Sequence, residues 1–295
     1  MPWYGSGAAT FILRQTNDSQ LPNGFVQARK RLGRAEAEAC YIAPALDVDP
    51  NASHTWRALL EHLVAHAGDF GIQRLYACLP AQGEASSLLA QCGFAPYVRE
   101  TLFRLRAWPE TYATPLASFV RPQRESDSLA LQRLADRFTP PVVLKSEGAY
   151  FKNHETSHTL IFQNWWQPGH QEGLVFERAG IVEAALIWSR GKRGVWLRYL
   201  GNPMDRDIVE ALLREGLTSI RANGLPIYCS VRSYQSALGA SLHALGFEDL
   251  TELTRFVKHT TVSIQEPATN KTRLLIETTF PGVISTDMTP PDQPS

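Results

Sequence analysis

The sequence predicts an α/β protein made of two tandem units, each a mixed, mostly antiparallel sheet flanked by helices, with the first unit truncated. The main observation is an internal repeat, because a shift of 153 positions superimposes two long stretches without a gap. The coinciding residues include Gly71 and Gly224, Gln82 and Gln235, Leu89 and Leu242, and Gly93-Phe94 and Gly246-Phe247. The length of 295 residues, above the roughly 100 to 200 of a typical domain, agrees with two units.

Each copy of the repeat predicts a helix, a strand, a second helix and a second strand. In the second copy, apolar residues recur at helical spacing over 208–220, and Gly224 stands where that helix must end. The short apolar run 227–231 predicts a buried strand, and 238–245 predicts a second short helix. The first copy predicts the same order, with a helix over 53–70, a strand over 72–79, a helix over 83–92 and a strand over 97–106.

The sequence outside the repeat predicts further strands and helices. A strand is expected at 10–14 and a hairpin over 25–45, with its turn at 32–34. The region before the second copy predicts a strand at 119–122, a helix capped by Ser126 or Asp127 and stopped by Pro140-Pro141, a second helix over 147–158, and antiparallel strands at 173–178, 181–189 and 195–200.

These elements predict four segments along the chain. Residues 1–108 form a truncated N-terminal domain, 109–117 a proline-containing linker, and 118–260 a fuller C-terminal domain. Residues 261–295 are rich in Pro, Thr, Asp and Ser with little periodicity, so we expect a largely disordered tail.

Composition narrows the classes of function. The formal net charge is zero, which excludes strong general attraction to nucleic acid or anionic membrane. The N-terminus lacks the pattern of a secretion signal, and no apolar stretch approaches the length of a membrane span, so we expect a cytoplasmic protein. The four cysteines show no metal-binding spacing. His154 and His158 stand four residues apart without an evident third ligand, so we expect no metal.

The element order of the second unit resembles that of the GNAT acyltransferase superfamily. Members typically close their last helix with Asn-x-x-Ala-x-x-Leu-Tyr-x-x-x-Gly-Phe, and this chain has Gln235-Ser-Ala-Leu-Gly-Ala-Ser-Leu-His-Ala-Leu-Gly-Phe247. The first copy reads Gln82-Gly-Glu-Ala-Ser-Ser-Leu-Leu-Ala-Gln-Cys-Gly-Phe94. The resemblance spans about 24–106 and 118–259 and implies a tandem GNAT protein. It further implies an N-acetyltransferase that uses acetyl-CoA as co-substrate and a small-molecule or peptide amine as acceptor.

The sequence departs from the family pattern in two places. GNAT enzymes hold the coenzyme A pyrophosphate with a glycine-containing loop at a helix N-terminus. The matching loops, 50–56 and 202–207, contain no glycine, and the second carries Asp205 and Asp207. The tyrosine that protonates the leaving thiolate in many members is replaced by Leu89 and Leu242.

The resemblance places the candidate site residues near the ends of the strands over 195–200 and 227–231, which we expect to splay apart. Tyr234 is the candidate catalytic acid. The candidates for cofactor binding are Tyr199, Leu200 and Arg232, and those for substrate binding are Arg198, Tyr228 and Glu147. The alternative is a catalytically inactive GNAT-like binding or regulatory protein that has lost coenzyme A binding, which the departures favour.

Overall fold

The structure is a computed structural model that describes residues 8–15, 21–31, 34–105, 116–147, 171–220, 224–260 and 276–279, the last four and Gln171 by their backbone alone. In chain order the elements are β1 (Ala8–Leu13), β2 (Gly24–Lys30), β3 (Glu36–Ala43), α1 (Ala52–Asp69), β4 (Arg74–Pro80), α2 (Glu84–Gln91), β5 (Ala95–Leu105), β6 (Val120–Pro122), α3 (Ser128–Phe138), α4 (Pro141–Ser146), β7 (Gln171–Arg178), β8 (Ile181–Arg190), β9 (Val195–Leu200), α5 (Arg206–Ser219), β10 (Ile227–Arg232), α6 (Leu238–Ala244), β11 (Phe247–His259) and β12 (Ile276–Thr279).

The chain divides into two compact units, neither of which is one continuous stretch. Unit 1 comprises residues 1–77, 91–93 and 258–295, and unit 2 comprises 78–90 and 94–257. The domain limits expected at 108 and 118 stay a prediction, because residues 106–115 lie outside the described part of the chain.

Unit 1 contains a sheet in the order β12-β1-β2-β3-β4. Its neighbours are antiparallel except for the parallel pair β3 and β4, which α1 connects. The helix forms because Trp56, Leu59 and Leu63 recur at helical spacing, and all three are buried against the sheet. Gly71 follows with φ +69°, a conformation that ends a helix without strain only at glycine.

Unit 2 contains a sheet in the order β11-β5-β10-β9-β8-β7-β6. Only β9 and β10 are parallel, with α5 as the crossover helix. The apolar residues of α5 and α6 pack with alternate residues of β9 and β10, among them Leu197, Tyr199, Cys229 and Val231. The opposite face of the sheet packs against α3 through a smaller core that includes Leu200.

The structure confirms the predicted fold class and the element order of unit 2. From β6 through α3, α4, β7 to β9, α5, β10 and α6 to β11, the sequence of elements is the one implied by the GNAT resemblance. All strands and helices predicted inside the described residues are present within a few positions.

Three features differ from expectation. Pro140 and Pro141 end α3, but Pro141 also begins the short helix α4, since proline fits the first position of a helix. Asp127 precedes α3, yet its carboxylate accepts from the backbone N–H of Arg124 and from Arg121 instead of capping α3. The strand β12 in the expected tail was not predicted. The expected 109–115 linker segment, the His154 and His158 pair and the rest of the helix predicted over 147–158 lie outside the described residues.

Candidate functional site

The parallel strands β9 and β10 part from each other after three residue pairs. Pairing joins Val195–Leu197 to Ile227–Cys229 and goes no further, although both strands continue. Their carboxyl ends therefore diverge, as the sequence predicted, and open a crevice at the edge of the sheet where α/β proteins commonly bind ligands.

Five charged side chains gather beside this crevice on the face of the sheet away from α5. Residues alternate between faces along a strand, and Leu197, Cys229 and Val231 point toward α5. Arg198 on β9 and Arg232 on β10 therefore point the other way. We define the charged cluster by Arg198, Arg232, Glu100 on β5, Arg255 on β11 and Glu147, the residue that follows α4.

Two ion pairs organise the charged cluster. Arg232 Nη2 donates to Glu147 Oε1 at 2.6 Å, and Arg255 Nε donates to Glu100 Oε2 at 2.8 Å. Arg232 and Glu100 are 6% and 4% exposed, so these pairs are shielded from water. Burial by itself would raise the pKa of both carboxyl groups, but the arginines outweigh it and hold each pKa below its usual value.

At Arg198, burial outweighs the attraction of the neighbouring Glu147 carboxylate. Burial and the positive charge of Arg232 lower the pKa of its guanidinium to about 10, and Glu147 offsets only part of that effect. The other four members of the charged cluster, two arginines and two glutamates, balance in charge, so Arg198 supplies its excess positive charge.

The remaining space in the crevice is small. A cavity of about 30 Å³ is lined by polar residues, including Arg198, Arg232, Tyr234 and Glu100, and by apolar residues of α3 such as Leu134. Tyr234 Oη accepts from Arg232 Nη1 at 3.3 Å, which leaves the phenolic proton available for donation.

Three of the predicted site residues, Tyr199, Leu200 and Tyr228, have side chains outside the charged cluster. Tyr199 is 2% exposed among the apolar residues packed on α5, and its hydroxyl donates to the Asn202 carbonyl at 3.1 Å. Leu200 is buried under α3, and Tyr228 stacks on Trp196 with ring centroids 4.8 Å apart.

The backbone of β9 at Tyr199 borders the crevice. Gln235 Nε2 donates to the Tyr199 carbonyl at 3.2 Å, so a side-chain amide replaces the strand partner lost where β9 and β10 part. Tyr199 and Leu200 can therefore contact a ligand in the crevice through their backbone groups. Their roles in cofactor binding stay predictions.

The loop between β9 and α5 is poorly suited to a pyrophosphate. Asp205 precedes α5 and Asp207 lies in its first turn, so two carboxylates stand at the helix end that favours anions. A neighbouring cleft of about 340 Å³ is lined by Glu183 and Asp205 as well as Arg137. A pyrophosphate held there in the usual family manner would be repelled.

The corresponding loop of unit 1 also carries a carboxylate at its backbone donors. Asp49 Oδ1 accepts from the Asn51 N–H at 2.7 Å. The Thr55 hydroxyl donates to the Pro22 carbonyl at 3.3 Å. In both loops a carboxylate therefore stands beside the N–H groups that would have to bind an anion.

The two copies of the repeat differ at the positions that form the site. Four polar residues beside the crevice are matched by apolar residues in the repeat. Leu79 matches Arg232, Ala81 matches Tyr234, Leu253 matches Glu100 and Leu102 matches Arg255. Leu89 and Leu242, where family members have tyrosine, are 3% and 0% exposed and belong to the core. At these four positions the polar residues of the crevice therefore have no polar counterpart in the repeat.

Sequence reasoning missed Glu100 and Arg255 as members of the site. Both lie on strands whose position in the sheet depends on pairing between distant segments. The available signal was their substitution by leucine in the other copy, since a charge at a position that accommodates leucine needs a partner.

The described residues contain no group of three or more His, Cys, Asp or Glu side chains placed to hold a metal ion. None of the helices described has the length and apolar character needed to cross a membrane.

Comparison with known proteins yields structural matches alone. No family model and no curated protein matches the chain. A GCN5-related N-acetyltransferase from Sphaerobacter thermophilus matches at 12% identity and TM-score 0.49, covering 83% of each chain. A tandem GNAT protein from the clavulanic acid biosynthesis pathway matches at 12% identity and TM-score 0.48, covering 87% of this chain and 84% of that one. A GCN5-related N-acetyltransferase from Kribbella flavida matches at 14% identity and TM-score 0.47, covering 79% and 86%. Similarity at this level says nothing about function, and the fold assignment depends on the element order and strand pairing described above.

Proposed function

We propose that unit 2 is an N-acetyltransferase unit that transfers the acetyl group of acetyl-CoA to an amine of a small molecule or peptide. The observation that carries the proposal is the parting of β9 and β10 after Leu197 and Cys229. Strands that part in this way leave backbone groups unpaired in the crevice, and an acyl thioester can be bound by such groups.

The reaction needs donors for the oxyanion and an acid for the leaving thiolate. Backbone N–H groups near the ends of β9 and β10 are the candidates for the oxyanion. Tyr234 is the candidate acid, because its hydroxyl lies at the crevice and accepts from Arg232, which keeps the ring in place. Glu147 is committed to Arg232 and, with its lowered pKa, is a weak base, so we expect the amine to arrive deprotonated.

The first experiment is calorimetric titration of the purified protein with acetyl-CoA, followed by an acceptor screen. Saturable micromolar binding is expected, and the Tyr234→Phe variant should bind acetyl-CoA equally well while transferring acetyl groups about 100-fold more slowly. Tyr41→Phe is the matched control, because Tyr41 is 64% exposed in unit 1. Absence of binding at millimolar acetyl-CoA would refute the proposal.

A second candidate is a GNAT-like binding or regulatory protein without activity. The carboxylates of Asp49, Asp205 and Asp207 at the two loops favour it, since each stands where pyrophosphate would have to bind. Under this hypothesis the titration shows no acetyl-CoA binding, while the crevice still binds a ligand of another kind. The cytoplasmic location stays a prediction under both hypotheses.

A further inference from the structure

We propose that the crevice of unit 2 holds a carboxylate group of its ligand between the guanidinium groups of Arg198 and Arg232. This inference deepens the proposed function, because it gives the acceptor amine a second feature, a negatively charged carboxylate. Within an acetyltransferase the acceptor class is then small amino acids or other amines that carry a carboxylate.

The charge balance of the crevice favours an anion. The charged cluster contains three arginines and two glutamates, so among the described residues it has an excess of one positive charge. Burial is the main cause of the lowered pKa of Arg198, and the positive charges of Arg232 and Arg255 lower it further while Glu147 opposes them. A bound carboxylate would offset this charge in surroundings of low dielectric, where the interaction is stronger than in water.

The size and the donors of the cavity fit a carboxylate. A volume of about 30 Å³ is enough for roughly two water-sized groups, which corresponds to the two oxygens of a carboxylate. Arginine presents paired N–H donors in a plane that matches such a group, and both Arg198 and Arg232 line the cavity. An ammonium ion, by contrast, would meet an excess of guanidinium groups.

The repeat argues against a purely structural role for the charged cluster. Three members of the charged cluster have leucine at the matched position of the repeat: Leu79 for Arg232, Leu253 for Glu100 and Leu102 for Arg255. Buried ion pairs seldom stabilise a fold more than apolar residues of similar size. Retaining the charges in one site therefore indicates recognition of a charged ligand.

The test is a thermal-shift and calorimetric titration of the full chain with acetate and with acetamide at constant ionic strength. The two probes have nearly the same shape and differ in charge. Acetate is expected to raise the melting temperature in a saturable manner, and acetamide is expected to have no effect. Equal responses to acetate and acetamide would overturn the proposal. Equal responses to acetate, phosphate and chloride would also do so, because they would indicate a general anion effect.

Substitutions of single arginines test where acetate binds. Arg198→Gln should weaken acetate binding about tenfold or more, as expected for loss of a charge-assisted hydrogen bond. Arg193→Gln, which removes a positive charge from the exposed turn between β8 and β9, should bind acetate like the wild type. Unchanged acetate binding in Arg198→Gln contradicts the inference. If that variant fails to fold, Arg198→Lys retains the charge without the planar fork and should still weaken acetate binding.

The acetyl-CoA titration separates this inference from the proposed function. Acetate binding that depends on Arg198, together with no acetyl-CoA binding, would leave the carboxylate site standing and remove the acetyltransferase. Acetyl-CoA binding without discrimination between acetate and acetamide would do the reverse. In an active enzyme, glycine and alanine should be better acceptors than glycinamide and alaninamide.

Discussion

Glu147 connects two other side chains beside the crevice through its carboxylate. It binds Arg232 through both carboxylate oxygens and accepts from the Tyr97 hydroxyl at 3.4 Å. Removing one member of a buried ion pair leaves the other charge without compensation, which costs far more than the pair contributes when it is intact.

Glu147→Gln is therefore expected to lower the free energy of unfolding by about 3 kcal/mol or more. Urea denaturation followed by circular dichroism measures the change. Glu210→Gln is the matched control, because the Arg206 of its ion pair is 73% exposed and such surface pairs contribute about 1 kcal/mol or less. Similar losses in the two variants would show that Arg232 does not depend on Glu147.

A second residue-scale feature is the histidine pair on α1 of unit 1. His62 and His66 stack with ring centroids 5.8 Å apart, and Phe11 packs edge-on against both. Burial lowers the pKa of each ring below 6.5, and at His66 the neighbouring His62 lowers it further while Asp69 partly opposes the shift. The folded state therefore favours neutral rings.

The lowered pKa values of His62 and His66 make the free energy of unfolding depend on pH. Well above pH 6.5 both rings are neutral in the folded and unfolded chains, and as pH falls toward and below 6.5 the unfolded chain binds protons first. The free energy of unfolding should fall as pH decreases from about 7.5 to 5.5, and His66→Gln should reduce that slope. An unchanged slope in His66→Gln would contradict the assigned cause.

At the scale of elements, the connection from β9 to α5 determines how the crevice is bounded. Gly201 has φ +142°, and a Cβ added there would lie 2.7 Å from the Ala184 Cβ and 2.9 Å from the Tyr199 Oη. Both the backbone conformation and the space require glycine at this position.

Gly201→Ala is accordingly expected to destabilise unit 2 by about 2 kcal/mol or more, since strain and overpacking add. Gly224→Ala is the comparison, because Gly224 also has positive φ, at +79°, but nothing lies within 4 Å of an added Cβ. Its cost should be about 1 kcal/mol. Thermal unfolding of the two variants separates crowding from backbone strain, and equal costs would exclude a contribution from crowding.

In the whole molecule, strands that are distant in the sequence pair with each other to form the sheets. β5 comes from the first copy of the repeat but lies between β10 and β11 in unit 2, where Glu100 stands opposite Arg232 on one side and Leu253 on the other. In unit 1, β12 pairs antiparallel with β1 at the sheet edge. It takes the place that β6 has beside β7 in unit 2, so the C-terminal segment supplies the opening strand that the truncated unit lacks.

Truncation after Thr260 should therefore expose the β1 edge. Hydrogen exchange is expected to show faster exchange of β1 amides that face β12, with β7 to β9 unchanged, because an edge without its partner loses its backbone hydrogen bonds to water. Truncation after residue 279 keeps β12 and should leave β1 protected. Identical exchange of β1 in the two truncated chains would show that β12 does not hold the edge.

The sequence by itself determined the local architecture. Periodicity predicted α1, α5, β9 and β10 within a few residues, and the repeat predicted the duplicated order of elements. Alternation along β9 makes Arg198 and Tyr199 face opposite ways. These features depend on neighbours in the chain, whose spacing is printed in the sequence. The parting of β9 and β10 was implied by the family resemblance and not by local spacing.

The tertiary structure alone decided which strands became neighbours. β5 and β11 are matched strands of the repeat with similar apolar patterns, so nothing local distinguishes their partners, and the choice depends on contacts between residues far apart in the chain. That choice brought Glu100 and Arg255 to Arg232 and so created the charged cluster. The role of β12 could not be predicted for the same reason, because the position of this short strand depends on its pairing with the edge strand β1.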